Sequence, residues 1–340
     1  MKTLAAILVE LKKDLEIDYI ELPKINNHQL IVKILYTAVC GTQISEINGL
    51  KGEDNWLPHL LGHEAIAEVL EVGKEVKKVK QNDLVLVSWL DTQGINAGGT
   101  KYKFGSKTVN AGPVTTFQEI SVVSENKVLL SPSKKNLDKC CLLGCAIPTG
   151  YGMITNITKK LENKKLLIMG AGGIGLNSCI AAKESMAEEI IMLDNNSKKN
   201  DIIQKFGSNK VINNFLELKV SYKNYFDFII DASGNLDLMQ DSLVLLKPKG
   251  GKLIIAGNAP FGSKLQIEPS FFNQGKSIIG TWGGDTFLDN DIENYYKIFS
   301  KNIELYDYFV SSNFSLENIN SAIKKFQEGK IIRPIIKICD

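Results

Sequence analysis

Residues 165–194 read KLLIMGAGGIGLNSCIAAKESMAEEIIMLD. An apolar run at 166–169 leads into a glycine-rich turn, and a helical pattern then leads to a second apolar run that stops at Asp194. The order of strand, turn, helix, strand and acid is typical of a βαβ unit whose turn binds the pyrophosphate of a dinucleotide. This unit predicts an α/β protein with a nucleotide-binding domain.

Each glycine of this turn is needed for a different physical reason. Gly170 allows a tight turn, Gly172 allows the backbone to approach a pyrophosphate, and Gly175 allows the helix to pack closely on the strand. The N-terminus of that helix offers unpaired N–H groups and the positive end of its dipole to the phosphates. The predicted pyrophosphate-binding residues are Gly170, Gly172, Gly173, Ile174 and Gly175.

Asp194 predicts which dinucleotide is bound. Its carboxylate can accept hydrogen bonds from both ribose hydroxyls of an adenosine, and it would repel a 2′-phosphate. Residues 195–197 are Asn, Asn and Ser, so no arginine follows to receive such a phosphate. The sequence therefore favours NAD over NADP.

The bulk properties narrow the class of protein. A chain of 340 residues is expected to form about two domains. Lys and Arg total 40 against 38 for Asp and Glu, and the net charge of +2 provides no strong field for nucleic acid or an acidic membrane. The basic residues are spread along the chain, which is typical of a solvated surface. We therefore expect a small-molecule partner rather than a nucleic acid or a membrane.

The first residues and the cysteines point to a cytoplasmic protein. The apolar run that starts the chain is cut short by Glu10 and lacks a cleavage site, so it predicts a first strand rather than a signal peptide. No apolar stretch approaches the roughly 18 residues that span a bilayer. The six cysteines are clustered unevenly, which favours reduced thiols over a disulfide framework.

The chain divides by pattern into two parts. Residues 1–148 contain short apolar runs separated by turn signals, which predict a β-rich domain, and the polar, glycine-rich segment 91–111 is interpreted as a long surface loop. Residues 149–284 alternate between strand and helix patterns, which predicts a doubly wound parallel sheet. Residues 285–340 carry two helical stretches and a final strand, and they are expected to return to the first domain.

Three stretches in the first part carry residues that bind metals. They contain Cys40 in CGT, His63 in GHE, and Cys145 four residues before TGYG. Each alone is more often structural, because a free Cys is among the most buried residue types and a lone His is more often part of a hydrogen-bonded core.

Together these stretches resemble the zinc-dependent medium-chain dehydrogenase family of the alcohol dehydrogenase type, almost from end to end. The resemblance implies a GroES-like catalytic domain joined to a Rossmann coenzyme domain, with Cys40, His63 and Cys145 binding one catalytic zinc. Two thiolates and an imidazole suit this borderline-soft ion and leave an open fourth position. Cys140 and Cys141 are nearby competitors for the third ligand, and the motif position points to Cys145.

The resemblance also implies roles for neighbours of the ligands. Glu64 would lie beside the metal and swing in as a transient fourth ligand, or it would be an ordinary buried acid paired with a lysine. Thr42 would accept the proton of the alcohol and pass it to the nicotinamide ribose. Ser45 stands where some members complete this relay with a His, so a water chain or another exit route is expected. Gln43 replaces the usual Asp that orients the zinc-bound His.

On the coenzyme side, the resemblance assigns four further residues. Thr149 would pack behind the nicotinamide, Lys199 would reach the adenosine ribose, and Ser233 lies at the strand end near the nicotinamide ribose. Arg333, the only arginine in the sequence, stands where the family places a pyrophosphate-binding arginine. Its planar fork gives two-point contact with phosphate oxygens. The alternative is an arginine that merely lies at the surface.

The sequence also differs from many relatives in the ligands for a second, structural zinc ion. Many relatives carry four closely spaced cysteines that bind a structural zinc between the GHE and TGYG motifs, whereas residues 91–111 contain no Cys and no His. We therefore predict one zinc per subunit. The family also implies a homodimer, paired through the strand at 277–283, or a homotetramer.

The sequence thus predicts a zinc- and NAD-dependent alcohol dehydrogenase that acts on an alcohol, with a polyol or sugar derivative as one class of substrate. Two alternatives remain open. One is a zinc-free quinone or enoyl reductase on the same scaffold, which would not need Cys40, His63 and Cys145 together. The other is a non-catalytic protein that binds the dinucleotide, because fold alone does not fix function.

Overall fold

The computed structural model describes residues 1–339. Its strands, in chain order, are β1 (Lys2–Leu8), β2 (Glu16–Glu21), β3 (Gln29–Ala38), β4 (His59–Leu60), β5 (Glu64–Val72), β6 (Leu84–Ser88), β7 (Thr100–Phe104), β8 (Lys107–Ala111), β9 (Ile120–Ser124), β10 (Val128–Leu130), β11 (Lys165–Met169), β12 (Glu189–Leu193), β13 (Lys210–Ile212), β14 (Phe228–Asp231), β15 (Lys252–Ile255), β16 (Ser277–Gly280), β17 (Val310–Ser315) and β18 (Arg333–Lys337).

The α-helices are mostly short. They are α1 (Gly41–Ile47), α2 (Leu137–Cys140), α3 (Ala146–Gly152), α4 (Gly173–Glu184), α5 (Asn200–Lys205), α6 (Phe215–Ser221), α7 (Leu236–Asp241), α8 (Ser270–Asn273), α9 (Leu288–Lys301), α10 (Tyr306–Phe309) and α11 (Ile319–Gln327). A π-helical turn (Met153–Thr158) follows α3, and 3-10 turns include Cys141–Gly144 and Ser197–Lys199.

The chain forms two compact units. The first comprises residues 1–145, 287–296 and 309–340, and the second comprises residues 146–286 and 297–308. The expectation that all of 285–340 returns to the first domain is corrected at 297–308. This segment packs within the second unit because Lys301 forms an ion pair with Glu184 and the Tyr306 hydroxyl donates a hydrogen bond to Asn177.

The first unit is built from two sheets. One is a closed barrel in the order β1, β2, β7, β8 and β4, and the other runs β10, β6, β5, β3, β18 and β17, with β9 also paired to β3. The barrel encloses a small apolar core that includes Ile7, Ile20 and Tyr102. The β-rich prediction for this part of the chain is confirmed.

The interpretation of residues 91–111 as a surface loop is wrong for its second half. Strands β7 and β8 form an antiparallel hairpin that completes the barrel. Tyr102 and Val109 face each other across the hairpin and are completely buried, while Lys101 and Lys103 are exposed. Phe104 and Ala111 lie on the same inner face, but the charged and polar residues between these apolar positions masked the alternation in the sequence.

The second unit is a doubly wound parallel sheet, as predicted. All neighbouring strands are parallel in the order β13, β12, β11, β14, β15 and β16. The central strand β11 is buried from Leu166 to Met169, as expected for a strand covered by helices on both faces. The chain leaves this strand at the glycine-rich turn, which places that turn at the carboxyl edge of the sheet.

Within residues 1–339, no single helix is long and apolar enough to cross a membrane. Two consecutive helical segments, Leu137–Gly144 and Ala146–Thr158, are together long and apolar enough, but the chain bends between them. Every residue of this pair from 140 to 154 is buried.

Candidate metal centre

Cys40, His63 and Cys145 come together in the first unit. Cys40 lies between β3 and α1, His63 directly precedes β5, and Cys145 follows the 3-10 turn Cys141–Gly144. Their donor atoms all lie within 4.8 Å of one another, and His63 Nε2 is 3.1 Å from Cys145 Sγ. Among residues 1–339 this is the only group of three or more His, Cys, Asp or Glu side chains placed to hold a metal ion.

The two competing cysteines point elsewhere. The Cys140 thiol donates to the carbonyl of Lys135 at 3.4 Å, and the Cys141 thiol donates to the carbonyl of Asp138 at 3.0 Å. Burial raises the pKa of Cys140 to about 12 and raises that of Cys141 as well. Neither thiol belongs to the group formed by Cys40, His63 and Cys145. Cys145 is therefore the candidate third ligand.

The thiols of Cys40 and Cys145 share a hydrogen bond. This bond, together with the positive charge of Arg333, lowers the pKa of Cys40 well below that of an ordinary thiol despite its burial. The same hydrogen bond and burial raise the pKa of Cys145. Deprotonation is therefore easier at Cys40 than at Cys145, and a thiolate is the form of cysteine that binds metals.

Gln43 connects two of the three candidate ligands. Its Oε1 accepts a hydrogen bond from the backbone N–H of Cys40 at 2.7 Å, and its Nε2 lies 2.5 Å from His63 Nδ1. The side chain is buried in α1. Gln43 thus lies against the ring of His63, but its amide nitrogen can only donate to Nδ1, whereas a carboxylate would accept from a protonated Nδ1 and leave Nε2 to bind a metal.

Glu64 and Arg333 form an ion pair next to this group. The Arg333 guanidinium donates to Glu64 Oε1, and the side chains are 3% and 0% exposed, respectively. Arg333 is therefore not a surface residue. The pairing of these two residues was not predicted, although the sequence has only one arginine and an acid directly after a candidate ligand. The pyrophosphate-binding role of Arg333 stays a prediction.

The predicted proton-relay residues lie along α1. Thr42 is in the first turn of the helix, two residues after Cys40, and Ser45 lies in the next turn. Both are half-buried. Their place on the helix that begins at a candidate ligand is consistent with a relay, and the relay itself stays a prediction.

The second unit contains the glycine-rich turn in the expected form. Gly170 has a φ of +97°, and a Cβ on Gly175 would lie 1.9 Å from the Gly170 carbonyl oxygen. Only glycine fits at either position. Gly172 precedes α4, which begins at Gly173 and continues through Ile174. The turn therefore presents the backbone N–H groups at a helix start.

Asp194 is hydrogen-bonded to the glycine-rich turn. Its Oδ2 accepts a hydrogen bond from the Ala171 N–H at 2.8 Å and lies 3.4 Å from Lys199 Nζ, and its Oδ1 accepts one from the Asn196 N–H at 2.9 Å. The carboxylate is therefore held in a fixed direction at the end of β12. Lys199, which was predicted to reach the adenosine ribose, lies next to it.

Ser233 and Thr149 are the two remaining predicted coenzyme residues. The Ser233 hydroxyl donates to Asp231 Oδ1 at 2.6 Å, just beyond the end of β14. Thr149 lies in α3, and its hydroxyl is buried without a hydrogen-bond partner among the described residues. A hydroxyl of this kind is left to bind a ligand or a water molecule.

The three donor groups suit a zinc ion by their chemistry. Two thiols and one imidazole that converge within 4.8 Å match the soft, nitrogen- and sulfur-rich environment that zinc prefers, with a fourth position left for a ligand. The arrangement therefore fits a catalytic zinc ion rather than a closed structural site.

Comparison with protein-family models gives two matches. Residues 26–133 match the alcohol dehydrogenase GroES-like domain, and residues 173–301 match the zinc-binding dehydrogenase domain. The chain belongs to the zinc-dependent medium-chain dehydrogenase family. The predicted combination of a GroES-like domain with a Rossmann domain is thereby confirmed.

Individual members of the family resemble the whole chain. S-(hydroxymethyl)glutathione dehydrogenase from Komagataella pastoris is 28% identical, covering 99% of this chain and 97% of that protein, and the corresponding protein from Escherichia coli (strain SMS-3-5 / SECEC) is also 28% identical, covering 99% of this chain and 100% of that protein. The crystal structure of benzyl alcohol dehydrogenase from Acinetobacter calcoaceticus aligns with a TM-score of 0.87 at 21% identity, covering 100% of both chains. The two sequence relatives support an oxidoreductase that acts on CH–OH groups, and the crystal structure supports the fold.

Proposed function

We propose that this member of the family is an NAD-dependent alcohol dehydrogenase with one catalytic zinc ion per subunit. The convergence of the Cys40, His63 and Cys145 donor atoms within 4.8 Å carries the proposal. A zinc-free quinone or enoyl reductase would have no use for this convergence. The sequence relatives are named as S-(hydroxymethyl)glutathione dehydrogenases, and the oxidation of a hydroxymethyl group agrees with this reaction class.

Cys40, His63 and Cys145 would hold the zinc. When bound, the ion would supply Lewis-acid polarisation of the alcohol oxygen, and NAD would accept the hydride. The lowered pKa of Cys40 favours the deprotonated form of one donor, which is the form that binds a metal ion. Glu64 lies beside these donors with a second carboxylate oxygen, Oε2, that has no hydrogen-bond partner among the described residues.

Thr42 is proposed to accept the proton of the alcohol. The hydroxyl lies in the first turn of α1, two residues from the Cys40 ligand. A positioned hydroxyl that receives the proton typically contributes about 10²-fold to 10⁴-fold in rate. With Ser45 one turn further along α1, the proton would leave through a water chain rather than through a histidine.

The second unit would bind the coenzyme. The N–H groups at the start of α4 would bind the pyrophosphate, and Asp194 would accept hydrogen bonds from the adenosine ribose. A pyrophosphate-binding role for Arg333 stays a prediction of the family resemblance, because its guanidinium is buried against Glu64. NAD rather than NADP follows from the charge of Asp194.

Steady-state oxidation of a panel of alcohols, with NAD and NADP compared, tests this proposal. We expect NAD-linked turnover that chelation removes and added zinc restores. Thr42→Val should lower kcat about 10²-fold or more, while Thr42→Ser should retain most of it because the hydroxyl remains. Turnover that is unaffected by Thr42→Val would contradict the relay, and turnover without any metal would contradict the zinc mechanism.

A further inference from the structure

A cavity of about 670 Å³ in the first unit reaches the candidate ligand His63. Its walls come from the segment 46–63, which links α1 to β5, and from residues 99–115 around the β7–β8 hairpin. This volume lies within the range of about 300–1,000 Å³ that is usual for small-molecule sites. A substrate in this cavity would therefore lie directly against the candidate metal centre.

Apolar and charged side chains line the cavity together, and three of the charged ones, Lys51, Glu53 and Lys101, are exposed. Three carboxylates, from Glu46, Glu53 and Asp54, and two ammonium groups, from Lys51 and Lys101, line it. Lys51 Nζ lies 3.1 Å from Glu46 Oε2, so the free protein already balances part of this charge. Opposite charges that are interspersed in this way produce no strong field of one sign, but they offer many hydrogen-bond donors and acceptors.

Trp56 supplies a flat apolar surface in the same wall. Trp56 is 68% exposed, although hydrogen bonds fix its backbone on both sides. Asp54 Oδ1 accepts a hydrogen bond from the Trp56 N–H at 2.9 Å, and Asn110 Nδ2 donates to the Trp56 carbonyl at 2.7 Å. Asp54 in turn contacts the buried ring of His59 at 2.9 Å. The loop thus presents an exposed indole from a fixed backbone.

We propose that this cavity selects alcohols that carry several hydroxyl groups, that is, neutral polyols or sugar alcohols, with Trp56, Glu53 and Lys101 as residues that determine specificity. The carbon face of such a molecule would lie on the indole of Trp56, and its additional hydroxyls would pair with the charged side chains. The inference rests on the proposed function, because it assumes that the oxidised alcohol occupies this cavity.

The charges argue against the other classes of alcohol. An apolar alcohol would form no hydrogen bonds with the charged groups of this wall, whereas each added hydroxyl can pair with one of them. A phosphorylated alcohol would meet three carboxylates against two ammonium groups, a balance that does not favour an anion. Sites that hydrogen-bond a hydroxyl reject analogues that lack it much more strongly than apolar pockets discriminate by size.

The first experiment compares alcohols of equal chain length on the zinc-loaded full chain with NAD. Xylitol is compared with 1-pentanol and 2-pentanol, and sorbitol with 1-hexanol, 2-hexanol and sorbitol 6-phosphate. We expect kcat/KM for the polyol to exceed that for each matched alkanol by at least about ten-fold. Equal or better turnover of the alkanols, or of the phosphate ester, would overturn the inference while leaving the proposed dehydrogenase activity intact.

Two variants test the named residues. Trp56→Ala should raise KM for xylitol about ten-fold with little change in kcat, whereas Tyr19→Ala, an exposed aromatic outside the cavity, should change neither. The double variant Glu53→Leu/Lys101→Leu leaves the net charge unchanged, because it removes one charge of each sign. It should lower the polyol-to-alkanol ratio of kcat/KM at least about ten-fold, and an unchanged ratio would overturn the roles of these residues.

A binding measurement separates this inference from the proposed function. If no alcohol is oxidised, the proposed function fails, and saturation-transfer NMR with xylitol then tests the cavity alone. Xylitol binding that Trp56→Ala weakens and Tyr19→Ala does not would support the polyol site. The absence of xylitol binding to the zinc-loaded protein with NAD would overturn it.

Discussion

Arg333, at the start of β18, forms an ion pair with Glu64, at the start of β5, and both side chains are almost fully buried. Burial raises the pKa of Glu64, while the charge of Arg333 opposes this effect. Glu64 directly follows the candidate ligand His63, so the ion pair fixes the backbone from which that ligand projects. A buried charge of either sign would be costly without the other.

Removing one partner of this pair should be much worse than removing both. Arg333→Met should lower the free energy of unfolding by about 3–5 kcal/mol, because it leaves a buried carboxylate unpaired. The double variant Arg333→Met/Glu64→Met should recover much of that loss. Urea unfolding of the metal-free protein measures both, with Lys107→Met at an exposed position as a control. A single-variant loss below about 1 kcal/mol would contradict a buried, mutually dependent pair.

Cys145→Ser should separate metal binding from coenzyme binding. We expect the zinc content to fall from about one ion per chain to nearly none and alcohol oxidation to be lost, because a serine hydroxyl is a poor ligand for zinc. NADH affinity, measured by fluorescence titration, should change little, because the predicted pyrophosphate and ribose contacts lie in the second unit. Cys141→Ser is the matched control and should retain zinc. If Cys141→Ser lost zinc and Cys145→Ser kept it, the assignment of the third ligand would be wrong.

Asp194 should determine the choice of coenzyme. Asp194→Gly removes the acceptor for the ribose hydroxyls and the charge that would repel a 2′-phosphate. Its kcat/KM for NAD should fall about ten-fold or more, and the preference for NAD over NADP should narrow. Asp201→Asn, an exposed acid in α5, should leave both values unchanged. An unaltered preference in Asp194→Gly would show that this carboxylate does not contact the ribose.

Asp227 should make the stability of the second unit depend on pH. Burial alone would raise its pKa, but the Lys165 N–H at 2.9 Å and the Lys247 ammonium at 2.8 Å outweigh this effect and lower the pKa below its ordinary value of 3.8. The ionised form therefore stabilises the fold above that pH, and the contribution is lost as the pH falls through the lowered pKa.

Asp227→Asn is accordingly expected to cost about 1 kcal/mol at pH 7 and progressively less below about pH 4. Urea unfolding at a series of pH values measures the difference from the unaltered protein, and Asp237→Asn, at an exposed position, provides the control. A penalty that is the same at pH 7 and at pH 2.5 would show that the charge of Asp227 does not contribute.

The parallel sheet and the candidate ligands were predictable because local pattern determines them. The buried run before Gly170 and the acid after the next strand lie within thirty residues, so the βαβ unit is visible in a single stretch. Cys40, His63 and Cys145 were found through their motifs, and the structure places their donor atoms within 4.8 Å of one another.

The remaining features depend on contacts between distant residues. Tyr102 and Val109 are buried only because β7 and β8 complete the barrel with β2 and β4, and nothing local indicates that closure. The ion pair of Glu64 with Arg333 joins positions 269 residues apart. The cavity next to His63 likewise needs the segment 46–63 and the hairpin region together, so Trp56 could not be placed in it from sequence.

Elemental analysis of the full chain, purified without chelators, tests the zinc centre most directly. We expect about one zinc ion per chain, which is lost in Cys145→Ser and retained in Cys141→Ser. Zinc bound in this pattern would place the metal at Cys40, His63 and Cys145 and exclude a second, structural ion. A chain without zinc that takes up none when it is added would contradict the account and leave a zinc-free reductase on the same scaffold as the explanation.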